Sequence, residues 1–231
     1  MSALLHALRS EFQKLSDEAR AEKQRAYMKS TMPFWGVPSR EMRAISKRVM
    51  AAHSTRDPET LLGEVREVWD GATHREERYA AIEFTGDKRL RASHTTAMLP
   101  HYEHMIRTGA GWDLIDAIAP ARFLLIFDRD ATMPQVMRTW AQSEDMWIRR
   151  AAILSQLKRK TKTDLPLFEA CLQPSLNSKE FFLRKAIGWS LRELAKTNAA
   201  FVKGYLAAHR HEMSGLSIRE AEKHFQLMRS G

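Results

Sequence analysis

Trp147-Ile148-Arg149-Arg150-Ala151-Ala152 is the stretch from which the fold is read, because steps of 35 residues recover it along the chain. One step forward stands Phe182-Leu183-Arg184-Lys185-Ala186-Ile187, and a further copy carries Ile218-Arg219-Glu220-Ala221. Backwards, the same phase gives Trp112-Asp113-Leu114-Ile115-Asp116-Ala117 and then Glu77-Arg78-Tyr79-Ala80-Ala81-Ile82. Self-similarity at this period marks a solenoid of stacked helix pairs, in which each repeat buries its apolar face only against its neighbours. A shared phase also exposes the copy that breaks the rule. Asp116 stands where the other copies have Ala81, Ala151 and Ala186.

Composition agrees with an all-α chain. The 231 residues suffice to bury a core, and a hydrophobic fraction of 44% with six Trp argues against disorder. No sustained alternation of Val, Ile and Thr signals a strand. Lys and Arg exceed Asp and Glu by 37 − 28 = 9, and the pI is about 9.8; such a balance favours a polyanionic partner or an acidic membrane surface. Cys171 is the only cysteine, which excludes an intramolecular disulfide and reads as a buried thiol in a reducing compartment. The amphipathic N-terminus does not read as a secretory signal. The longest apolar run, Phe123 to Phe127, is bounded by Arg122 and Asp128, far short of a membrane span.

Apolar spacings of three and four place helices near 2–15, 17–30, 39–52, 58–69, 74–86, 89–106, 112–127, 132–142, 146–159, 164–173, 179–196, 199–210 and 217–229. Ser39, Asp130 and Ser178 are expected to cap the helices that follow them. Pro38, Pro58, Pro166 and Pro174 punctuate boundaries, and Pro120 should kink or split its helix just beyond Asp116. With no long linker, residues 1–231 are expected to form a single domain.

On the repeat phase, with Trp112, Trp147 and Phe182 as zero, Arg150 falls at +3, Asp116 at +4, Trp189 at +7 and Arg192 at +10. These offsets form one continuous helix face. Two readings follow. In one, the face lines a groove where indoles, a carboxylate and arginines converge. In the other it is core: the tryptophans pack, and Asp116 forms a buried ion pair with Arg150. The groove reading suggests chemistry. Indole faces attract cations, a carboxylate stabilises an oxocarbenium-like transition state, and arginines clamp phosphates. Together they suit a cationic base on a sugar-phosphate backbone. Lys158 opens a basic run, Lys158-Arg159-Lys160-Thr161-Lys162, that reads either as a solvated helix end or as a phosphate-facing strip.

The chain resembles the AlkD-like DNA alkylation repair proteins, alkylpurine DNA glycosylases built of HEAT-like repeats. The resemblance rests on Tyr27-Met28-Lys29, Gly36 to Arg43, Glu67-Val68-Trp69-Asp70, Trp112-Asp113-x-x-Asp116 and Trp147-x-x-Arg150-Ala-Ala-Ile-Leu-x-Gln-Leu-Lys158. It is strongest in Ser178-Lys-Glu-Phe-Phe-x-x-Lys185-Ala-Ile-Gly-Trp189-x-Leu-Arg192-Glu-x-Ala-Lys-Thr-Asn198, followed by Leu216-Ser-x-Arg219-Glu-Ala221.

The resemblance implies an all-α, right-handed superhelical solenoid of antiparallel HEAT-like or ARM-like helix pairs with a concave basic groove. It implies a catalytic set of Trp112, Asp116 and Trp189, with DNA contacts from Arg150, Arg192, Lys158, Arg43, Ser39 and Tyr27. Asp113 matches an acidic family position, but turns about 100° from Trp112, so Asp116 is preferred. The implied reaction is hydrolytic release of cationic N3- and N7-alkylated purines, such as 3-methyladenine and 7-methylguanine, from duplex DNA without flipping the base into a pocket. A charged purine leaves without a general acid. Neither cofactor nor metal is expected; His101 and His104 share a helix face but no third ligand follows. The implied protein is monomeric and cytoplasmic, nucleoid-associated in a bacterium. Gly111 departs from the family pattern, which can carry a second aromatic there. The competing reading is a noncatalytic helical-repeat DNA-binding or scaffold protein.

Overall fold

In the computed structural model, which describes residues 2–227, every regular element is helical and no strand occurs among the described residues. The chain divides into two compact units, with the boundary between His101 and Tyr102.

The first unit contains α1 (Ala3–Lys14), α2 (Glu18–Met28), α3 (Ser39–Ala52), α4 (Pro58–Asp70) and α5 (Arg75–Phe84). Its core is drawn from the stripes Leu4, Leu5, Leu8 and Phe12 on α1 and Leu61, Val65, Val68 and Trp69 on α4, closed by Ala80, Ala81 and Phe84 on α5. Helix α2 buries no residue and is held by polar contacts instead. Arg20 donates to the Gly36 carbonyl at 2.8 Å, and Gln24 to that of Val37 at 3.3 Å. Gly36 has φ +78°, and a Cβ there would lie 2.1 Å from the Asp17 carbonyl oxygen, so only glycine lets the 30–38 segment cross α2. The same segment is pinned by a buried carboxylate: Glu76 accepts from the backbone N–H groups of Trp35, Gly36 and Val37 at 2.9–3.1 Å.

Helix α6 (Leu99–Gly109) spans the boundary between the units. The second unit continues with α7 (Trp112–Ile118), α8 (Leu124–Phe127), α9 (Met133–Ala141), α10 (Met146–Leu154), α11 (Leu165–Leu172), α12 (Phe181–Ala195), α13 (Ala199–His209) and α14 (Gly215–Leu227). Helices α7, α10, α12 and α14, which carry the repeated motif, pack in that order as successive neighbours; α9 packs on both α10 and α11, and α13 on α12. The 35-residue period is therefore the step from one motif helix to the next. Cys171 is buried, and burial pushes its thiol up to about 12, which makes it inert.

Three local expectations need correction. The helix expected at 89–106 begins only at Leu99, preceded by short 3₁₀ turns at Lys88–Leu90 and Thr96–Met98. Pro100 is tolerated in a first turn but not in a helix interior, and Asp87 and Thr95 divert nearby N–H groups into side-chain bonds. Ser39 is the first helical residue and Pro38 occupies the cap. Asp130 and Ser178 accept hydrogen bonds from the N–H groups of Thr132 and Glu180, within turns that precede α9 and α12 rather than at their caps. Residues 228 and 229 of the last expected helix lie outside the described residues. Pro120 acts as expected: the helix begun at Trp112 passes into a π-helical turn at Ala119–Phe123. Lacking an N–H, Pro120 leaves the Asp116 carbonyl without its usual helical donor.

Candidate active site on the second unit

Helix α7 buries Leu114, Ile115 and Ile118, while Trp112, Asp113 and Asp116 are half-buried. On the neighbouring motif helices, Trp147, Phe182, Trp189 and Arg192 are likewise half-buried. The recurring face is thus neither solvated nor core: small residues such as Ala151 and Ala186 close the helix contacts beneath it, and aromatic rings stand at its edge. Trp147 and Phe182, at the same phase of successive repeats, pack with ring centroids 5.0 Å apart.

One side chain ties three motif helices together. Arg150 of α10, only 4% exposed, donates from Nε and Nη2 to Asp116 of α7 at 2.8–3.0 Å. Its Nη1 donates to the Phe182 carbonyl at the start of α12 at 2.5 Å. The forked pairing fixes the carboxylate in two dimensions, which a lysine point charge cannot do. Asp116 retains 17% of its side-chain exposure. Burial, outweighing the opposing charge and hydrogen bonds of Arg150, pushes its carboxyl up to about 6, with the charge of Asp113 adding to the rise. The two readings of this face therefore each capture a part. The ion pair of the core reading exists, yet the tryptophans keep the exposure that the groove reading needs.

A second charge cluster follows one repeat later. Buried Glu220 of α14 accepts from Lys185 at 2.7 Å, from Lys223 at 2.9 Å and from Arg192. Burial opposes its ionisation, but the hydrogen bonds from Lys185 and Lys223 and the charge of Arg192 bring it down to about 2. Glu220 was not singled out from sequence. The signal was present, because Arg150, Lys185 and Glu220 occupy one phase, at +3 in successive copies. Close approach of α12 and α14 depends on Gly188, where a Cβ would lie 2.5 Å from that of Glu220 and 2.7 Å from the Ser217 carbonyl oxygen.

The remaining expected residues fall elsewhere. Lys158 is exposed beyond the end of α10, without a hydrogen-bond or ion-pair partner among the described residues, and lines a cavity of about 510 Å³ with Lys160, Lys196 and Thr163. Tyr27 on α2 is 74% exposed, and Ser39 and Arg43 are exposed along the first turns of α3; these three belong to the first unit. Among the described residues no group of three or more His, Cys, Asp or Glu stands arranged to hold a metal ion, and no helix is long and apolar enough to cross a membrane.

Compared with known families, residues 8–225 match the profile of the DNA alkylation repair enzymes. The chain belongs to the DNA alkylation repair enzyme family. Within that family it is similar to a solved structure described as a predicted DNA alkylation repair enzyme from Enterococcus faecalis, at 28% identity and a TM-score of 0.78, over 90% of this chain and 95% of that one. Comparison with curated proteins gives no match. The match of the alkylation repair family runs through both units. As an alkylation repair enzyme the chain has DNA as its partner, in keeping with its nine excess positive charges.

Proposed function

We propose that this chain is a monofunctional DNA glycosylase that hydrolyses the N-glycosidic bond of cationic N3- and N7-alkylated purines in duplex DNA. The observation that carries the reading is Asp116: a carboxylate oriented by the Arg150 fork, one helical turn from Trp112, with a pKa raised to about 6 but still ionised at neutral pH. In the proposed reaction the C1′–N9 bond breaks with its electron pair passing to the purine, which leaves neutral. Asp116 stabilises the positive character left at C1′ and orients the water that adds there, and the water's proton passes to solvent. Trp112 and Trp189 lie against the sugar and the cationic base.

Arg150 is already engaged, so its main part is to position Asp116. Arg192 and Lys158, with Arg43, Ser39 and Tyr27 of the first unit, hold the backbone. Both units form one functional domain over residues 1–231, acting as a monomer on the cytoplasmic chromosome without cofactor and without extruding the base.

The test is release of N7-methylguanine from methylated duplex DNA by the wild type and by Asp116→Asn. Release by the wild type that collapses in the variant is expected. One observation favours the alternative of a noncatalytic DNA-binding protein, namely that Arg150 already satisfies Asp116; under that reading the wild type binds methylated DNA and releases nothing.

A further inference from the structure

The first unit contains a cavity of about 720 Å³ between α3, the segment leading into α4 and the turn after α5. Its apolar floor includes Met50 and Phe84, and its rim is strongly basic: Arg43 and Lys47 from α3, Arg56 before α4, and Lys88 after α5. All four are exposed. Arg43, Lys47 and Arg56 have no hydrogen-bond or ion-pair partner among the described residues, and Lys88 lends only its charge to Asp87. This contrasts with most of the chain's buried or half-buried arginines, such as Arg9, Arg20, Arg150 and Arg192, which are tied to carboxylates.

The rim is also built. Arg89, whose side chain is 9% exposed, donates to the carbonyls of Met50, His53 and Thr55 at 2.8–3.0 Å and pairs with Asp87 at 2.7 Å. That network closes the C-terminus of α3 and fixes the chain leading to Arg56, so the four cations stand on a braced frame. Arg43 and Lys47 lie one helical turn apart, on the same face. The acids at the rim are Glu83 and Asp87, the latter neutralised by Arg89, which leaves a net positive opening.

We propose that this cleft is a phosphate-binding site for the sugar-phosphate backbone of duplex DNA, with Lys47, Arg56 and Lys88 acting alongside Arg43. It is a site of affinity, remote in chemistry from Asp116, since it offers no indole to a reacting base. The proposal rests on duplex DNA being the substrate, and its test needs no turnover.

The affinity of the full chain for undamaged duplex DNA is measured over a range of salt concentrations for the wild type and for Arg56→Gln/Lys88→Gln. Each lost phosphate contact lowers the slope of log K against log salt by about 0.9 and, at about 0.15 M salt, the affinity by about fivefold. The double variant should therefore lose about 1.8 in slope and about 30-fold in affinity. Arg56→Lys/Lys88→Arg, which keeps both charges, should retain both values. An unchanged slope overturns the proposal, as does an equal loss in the charge-conserving variant. Isothermal calorimetry with inorganic phosphate distinguishes a free-ion site: phosphate binding that depends on these residues, with duplex affinity unaffected, also overturns it. Because binding is read on undamaged DNA, a failure of base release in the Asp116 assay leaves this result standing.

Discussion

A carboxylate with a pKa of about 6 predicts a rate profile that no ordinary aspartate gives. An acid works as an anion above its pKa, so Asp116 is about nine-tenths ionised at pH 7 and about one-tenth ionised at pH 5. If the anion stabilises the oxocarbenium character at C1′, single-turnover release of N7-methylguanine should fall about tenfold between pH 7 and pH 5, with unit slope on the acid side. An aspartate at its usual 3.8 would stay ionised over the same range and give a flat profile. Arg150 supplies the refinement. Its guanidinium draws the carboxyl down against burial, so Arg150→Gln should move the acid limb above pH 6, and Arg150→Lys should bring it part of the way back. The assay is release from methylated duplex under enzyme excess, followed by chromatography of the freed base. A flat wild-type profile between pH 5 and 7, or the same limb in the residual activity of Asp116→Asn, would refute the assignment.

Two further predictions concern the frame that carries the site. Glu220→Gln should destabilise the protein at pH 7 by about 2–3 kcal/mol in urea unfolding, since three cations lose their shared anion. Its folded pKa is depressed from 4.5 to about 2, so this stability is present above about pH 4.5 and is lost as pH falls towards 2; the gap between wild type and variant should close over that window. Gly188→Ala should cost about 1–3 kcal/mol of overpacking, because the new methyl meets Glu220 and the Ser217 carbonyl oxygen. That exceeds the gain of about 1 kcal/mol from alanine's helix preference, and thermal unfolding decides the sign.

The row of motif helices was legible because each repeat needs the same apolar phase to bury itself, and that requirement is written locally. Errors arose where one residue overrode the periodicity. Pro100 sat inside an apparently continuous pattern at 89–106, yet its ring fixes a helix start, and the polar side chains before it find their own backbone partners. Pro120 carried the same kind of information and was read correctly, although the π-helical form of the break was not, since a missing N–H says that the ladder is interrupted but not how it is repaired. The buried carboxylates of the first unit were invisible for a different reason. Glu76 and Glu77 look like solvated residues in the first turn of α5, but the returning 30–38 segment donates to both, and Arg9 of α1 and the Thr73 N–H donate to Glu77 as well.

The charges on the recurring face make the same point about the site. The phase placed Asp116 and Arg150 on one helix face, with Lys185 and Glu220 at the position of Arg150 in later copies, but it could not say which charge each would meet, because pairing depends on the lateral step between helices and not on the spacing along them. The observed pairs run across that step: Arg150 reaches back to Asp116, and Lys185 reaches forward to Glu220. Between these pairs, Arg150 also holds the Phe182 carbonyl, so neighbouring repeats are joined by polar contacts at the face where the tryptophans stand. An ion pair so placed is weak evidence for stability, since desolvation offsets most of its attraction. Under the proposed function its part is orientation: a carboxylate kept in one position by Arg150, with its pKa raised to about 6, on a face whose tryptophans are half-buried. Replacing the pair with apolar residues of similar volume should preserve folding and abolish base release, whereas a purely structural pair would leave release intact.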